Sequence, residues 1–217
     1  RRGQSLYRPA GAARQGAHGD GRGWDGGGDG VSWNASPANW DLDTAPVAND
    51  RLFFGGSTGL NPNNDFAANT IFGGITFNSG AGAFSLSGNI VNMAGGLTNN
   101  SANLQVIYLN LNNTATRTYS AAAGPIICSN VVTASIIKEG ASSLTFAGGA
   151  GNSSVGATVN NGTLILAKSA GNALGSTAMV NTNGILRIVG SGTFVDQIHF
   201  NQRVIMNGGV GVNAHDA

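Results

Sequence analysis

From Leu52 onward the apolar positions of the chain come in short alternating runs, cut again and again by glycine, asparagine and serine. Ile75 and Phe77, Phe84 and Leu86, and Leu164 and Leu166 each stand two apart, the period of a strand with one buried side. Runs such as RLFF, QVIYL, PIIC, SLTF and TLIL follow one another without a stretch of helical period. The pattern predicts strand after strand and an all-β chain.

The runs also repeat. Val159-Asn-Asn-Gly-Thr-Leu-Ile-Leu and Val180-Asn-Thr-Asn-Gly-Ile-Leu-Arg-Ile share a Val-Asn start, an Asn-Gly corner and a second apolar strand. Their offset is about twenty residues, within the range that signals a solenoid. Gln197-Ile-His-Phe with Arg203-Val-Ile-Met reads as a third, looser copy. Asn161-Gly162 and Asn183-Gly184 would also suit two-residue hairpin turns, but the stubs on either side are too short for a stable hairpin ladder. A parallel β-helix uses such stubs as successive sides of one coil, stacked about 4.8 Å apart. From Asn61 to the end this predicts roughly seven coils and a rod about 35 Å long.

Composition sharpens the reading. Charged residues make up 10% of the 217, against roughly 25% in an ordinary soluble domain, and glycine contributes 35. In-register stacking explains the low charge, because it would set like charges above one another. Between Phe66 and Val195 the only charged residues are Arg117, Lys138, Glu139, Lys168 and Arg187, whereas the first 65 residues hold six Arg and seven Asp. The expected organisation is therefore a disordered basic leader over 1–22, an N-terminal capping segment over 23–60 and β-helix repeats over 61–217. A net charge of +1 supplies no field to gather nucleic acid or an anionic membrane. No run approaches the ~20 apolar residues of a membrane-spanning helix. The single cysteine, Cys128, lies in the apolar run PIICSNVV and reads as a buried, inert thiol.

The block KEGASSLTFAGGAGNSSVGATVNNGTLILAKSAGNALGS, Lys138 to Ser176, resembles the repeat of autotransporter-associated β-strand repeat proteins. Lys138, Gly140, Leu144, Phe146, Gly148, Asn152, Gly156, Thr158, Val159, Gly162, Thr163, Leu164 and Leu166 fall on that pattern. Ser142, Phe146 and Ala147 are mild departures. The stretch from Gly23 to Trp40, GWDGGGDGVSWNASPANW, is similar to the lead-in of such repeats. The resemblance implies a right-handed parallel β-helix in a bacterial passenger region, located outside the cell or at its surface. It implies no particular ligand and no cofactor.

Candidate chemistry is sparse. Glycoside hydrolysis normally needs two carboxyl groups about 5–9.5 Å apart. Glu139 is the one carboxylate between Phe66 and Val195, and with Lys138 beside it a solvated pair is the simplest account. The aspartates of the first segment match a calcium β-roll repeat only once and imperfectly, so no metal site is assigned. Trp24, Trp33 and Trp40 are all the tryptophans of the chain and fall within eighteen residues. They read as an aromatic cap on an open first coil, with a glycan-stacking platform as the alternative. The sequence thus predicts a structural or adhesive solenoid without enzymatic activity. Its expected partners are cell-surface or matrix molecules, glycans among them. A fibre subunit that associates through its solenoid ends, or a glycan-binding or glycan-cleaving β-helix, are the alternatives.

Overall fold

The computed structural model of the chain describes residues 21–152, 154–189 and 196–214. The chain opens with β1 (Gly21–Trp24), then β2 (Arg51–Phe54), β3 (Asn63–Asn64) and β4 (Thr70–Phe72). Two turns follow in the same order, β5 (Gly74–Phe77), β6 (Ser85–Gly88) and β7 (Val91–Met93), then β8 (Leu97–Asn99), β9 (Gln105–Ile107) and β10 (Leu111–Asn113). The next turn is β11 (Arg117–Ala121), β12 (Ile126–Cys128) and β13 (Val132–Thr133), and after it come β14 (Ile136–Glu139) and β15 (Ser143–Gly148). Two long strands, β16 (Ala157–Lys168) and β17 (Ala178–Val189), precede β18 (Val204–Asn207) and β19 (Val210–Ala214). Among the described residues helical structure is limited to two three-residue 3-10 turns, Pro37–Asn39 and Asp41–Asp43.

All paired strands are parallel, and each pairs with its equivalent one turn away. The first face is the row β1, β2, β5, β8, β11, β14, the first half of β16 and of β17, and β18. The second face runs from β6 through β9, β12 and β15 to the second halves of β16 and β17. A third row joins β4, β7, β10 and β13. The chain is therefore a β-solenoid, and the seven first-face strands after Asn61 match the number of coils expected from the sequence.

Strands also occupy the segment expected as the cap. Gly21 and Arg22 are already part of β1, and β1 and β2 stack in register beneath β5, so among the described residues the coil stacking already includes Gly21. The reason is that RLFF, Arg51 to Phe54, alternates like every later strand and completes the same apolar columns. The rest of the expected leader lies outside the described residues.

Alternation along each strand sends one set of side chains inward, and register turns these into columns. One column reads Leu52, Ile75, Leu97, Tyr119, Lys138, Val159 and Val180. Another reads Leu86, Ile107, Cys128, Phe146, Leu166 and Ile188. All but Ile188 of these residues are buried. Cys128 is enclosed as expected, and burial pushes its thiol up to about 12. Such a thiol stays protonated and inert at neutral pH.

Two glycines show why the sequence tolerates so few side chains at the corners. Gly148 has φ +85°, and a Cβ there would overlap the Ser129 carbonyl of the coil beneath. A Cβ on Gly95 would overlap the Gly73 carbonyl in the same way.

Candidate functional site

At the N-terminal end the three tryptophans interlock. Trp24 and Trp33 each meet Trp40 edge to face, at centroid separations of 5.2 and 6.0 Å. All three also contact the Phe54 ring. Trp24 points inward from β1 in one column with Phe54 and Phe77, while Trp40 makes an antiparallel bridge to Trp24. The segment around the 3-10 turns thus lies against the edge that β1 would otherwise expose, and Asp25 N and Gly26 N donate to Asn39 O across it. Trp40 Nε1 donates to Trp33 O at 2.7 Å and Trp24 Nε1 to Gly59 O at 3.1 Å. Relative exposures of 3% for Trp24 and 0% for the other two leave no ring face for a sugar to stack on.

The neighbouring acids serve the backbone. Asp29 accepts from Val31 N, Ser32 N and the Ser32 hydroxyl, and the Ser32 hydroxyl contributes most to holding its carboxyl well below the usual range. Asp65 accepts from Asn34 N and Ala35 N, tying the first turn to the second. Asn39 is fully buried and uses both ends of its amide: its oxygen accepts from Gly28 N and Gly30 N, and its nitrogen donates to Asp29 and to Ser32 O. These oxygens point at amide protons, an arrangement that stabilises a loop. Among the described residues no three His, Cys, Asp or Glu side chains come together.

The solvated Lys138–Glu139 pair expected from the sequence is not what forms. Lys138 occupies an inward position between Tyr119 and Val159 and is fully buried. Its ammonium donates to the carbonyls of Glu139, Gly140 and Asn161 at 2.8, 2.7 and 2.9 Å, which uses all three of its protons. Alternation decided this, because Ile136 and Lys138 point the same way along β14 and Ile137 and Glu139 the other. Glu139 faces outward and accepts from the Asn160 amide at 2.7 Å. That contact begins a ladder in which Asn181 donates to Asn160 and Asn207 to Asn181, at 2.6 and 3.0 Å. Lys168 is likewise buried, and its ammonium reaches Asn130 O at 2.9 Å past Gly148, its neighbour in register. Burial pulls both amines down to about 8.

His199 is half-buried and its ring stacks on Phe200, which is 78% exposed. Residues 198 and 199 form no strand beyond the bridge of Ile198 to Leu174.

One depression opens on the outer side of the first face. Its volume is about 230 Å³, and it is lined by Arg51, Phe53, Thr76 and Thr98 together with Gly73, Gly74, Gly95 and Gly96. Thr76 and Thr98 are register partners on β5 and β8, with half-buried side chains directed outward between inward Ile75 and Phe77, and Leu97 and Asn99. Sequence reasoning missed this groove. Its visible signal was the pair of Gly-Gly doublets before β5 and β8, each followed two residues after its second glycine by a threonine.

Fold and side-chain chemistry together define a parallel β-solenoid with an aromatic N-terminal cap and buried lysines. Set against protein-family models, curated proteins and solved structures, the chain matches none of them. Among the described residues no helix is long and apolar enough to cross a membrane.

Proposed function

We propose that this chain is a non-enzymatic rod of a bacterial surface or secreted protein, structural or adhesive in role, of the autotransporter-associated repeat type. The observation that carries the reading is where the reactive side chains have gone. Lys138 and Lys168 hold carbonyls inside the coil, and Asp29 and Asp65 hold amides in the cap. Groups so committed organise a scaffold, and repeated coils at about 4.8 Å present an extended, stiff surface. Surface labelling of intact producer cells with an antibody to the chain tests the location. Signal only after lysis would overturn it. Turnover of any substrate in a polysaccharide panel would overturn the non-enzymatic part.

A fibre subunit is the second reading, and β18 favours it. Val204, Ile205 and Met206 are 38–43% exposed, and Asn207 is the last rung of its ladder. A further coil seated there, from the same chain or from another copy, would cover them. Filaments that lengthen with protein concentration in electron micrographs support the second copy; a particle of constant size excludes it.

A further inference from the structure

We infer that the groove on the first face binds an acidic oligosaccharide, a chain of hydroxylated rings bearing carboxylates. The inference names a ligand for the adhesive reading above, and depends on that reading only for display of the face outside the cell.

Charge is the first argument. Arg51 is exposed at one end of the groove, and no carboxylate pairs with it among the described residues. The adjacent acid, Asp50, is instead turned to Arg22 at 3.8 Å and to Val47 N. A guanidinium without a partner is a fork of donors suited to a carboxylate.

Hydroxyls are the second. Thr76 and Thr98 face the same depression one coil apart, and neither hydroxyl makes a hydrogen bond among the described residues. Two successive coils thus offer one hydroxyl each about 4.8 Å apart, a spacing matched to a ligand that extends along the solenoid axis. Phe53, half-buried beside Arg51, adds an apolar ring surface against which the C–H face of a sugar packs.

Shape is the third. The floor is backbone at Gly73, Gly74, Gly95 and Gly96, and close approach between coils forbids a side chain at Gly95. The groove is shallow and open along the surface, so it cannot enclose a compact apolar molecule. An extended polar chain needs no enclosure. A neutral chain would leave Arg51 unused, which favours the carboxylated one.

Affinity electrophoresis of the whole chain through gels containing polygalacturonate, dextran sulfate or dextran tests the inference. Polygalacturonate is expected to retard the protein, the effect fading with added salt, while dextran leaves its mobility unchanged. Arg51→Gln should weaken retention about tenfold and Thr76→Val with Thr98→Val about fivefold, both with unaltered melting temperature. Arg187→Gln, on the second face, should behave as the unmodified chain. Absence of retardation would overturn the inference, as would equal retardation by dextran sulfate or equal loss on Arg187→Gln. None of those failures touches surface labelling, which decides the rod reading separately.

Discussion

Between Gly21 and Phe84 the interior holds seven buried aromatic rings, Trp24, Trp33, Trp40, Phe54, Phe72, Phe77 and Phe84; between Ala157 and Leu186 it holds none and is packed mainly by Ala, Val and Leu. Thirty residues separate Gly21 from its register partner Arg51, whereas twenty-one separate Ala157 from Ala178. The longer first turn folds part of itself across the end, and only large rings fill the space this creates. Its polar groups need individual partners, as Asn39 and Asp29 show. Regular turns reuse one solution: identical residues stand in register, and Asn160, Asn181 and Asn207 join into a ladder. An end requires particular side chains, while a repeat requires side chains that agree with their neighbours.

The strongest way to break this contrast is Trp33→Ala. Removing a fully buried ring from the cap should cost about 3–5 kcal/mol, seen as a large fall in melting temperature. An unchanged melting temperature would remove the cap from the account. Within the regular turns the counterpart is Gly148→Ala, which forces a methyl into the Ser129 carbonyl at positive φ. A loss of at least about 2 kcal/mol is expected in chemical denaturation.

Lys138→Met should cost about 2 kcal/mol, since three carbonyls lose their shared donor. The same lysine sharpens the comparison through pH. With its folded value lowered to about 8 from 10.5, the unfolded chain holds the proton more tightly across that window. Stability should therefore rise as pH climbs from about 8 to 10.5, and Lys168 adds a contribution of the same sign. Denaturation midpoints across this range should show the rise in the parent chain and a weaker one in Lys138→Met; equal slopes would mean Lys138 does not titrate with folding.

Within the ladder, Asn160→Asp places a carboxylate against Glu139 and should cost about 1 kcal/mol at pH 7, recovered as pH falls and one acid protonates. The smallest effect belongs to Gly80→Ala. Nothing lies within 4 Å of a Cβ there, and a shift beyond about 0.5 kcal/mol would show that glycine acts in this fold through something other than close approach.

Much of the solenoid was legible because register does the same thing in every turn. The alternation of Leu164 and Leu166 and the copy at Leu186 and Ile188 already fixed inward columns. The buried lysines were not legible as such, since a Lys-Glu dipeptide reads as solvated until the neighbouring coil supplies the Asn161 carbonyl. The groove escaped for the same reason: Arg51, Thr76 and Thr98 are far apart along the chain and meet only by stacking.

The sequence by itself determined the all-β character, the coil of about twenty residues and the aromatic character of the first segment. These follow from local alternation and from repetition, which are properties of a single strand read along its length. Tertiary structure alone decided that β1 and β2 join the stack ahead of β5, that Lys138 turns inward and that one outer face sets Arg51 beside Thr76 and Thr98. Each of those depends on what lies one turn above or below, and that neighbour is about twenty residues away in the chain but only about 4.8 Å away in space.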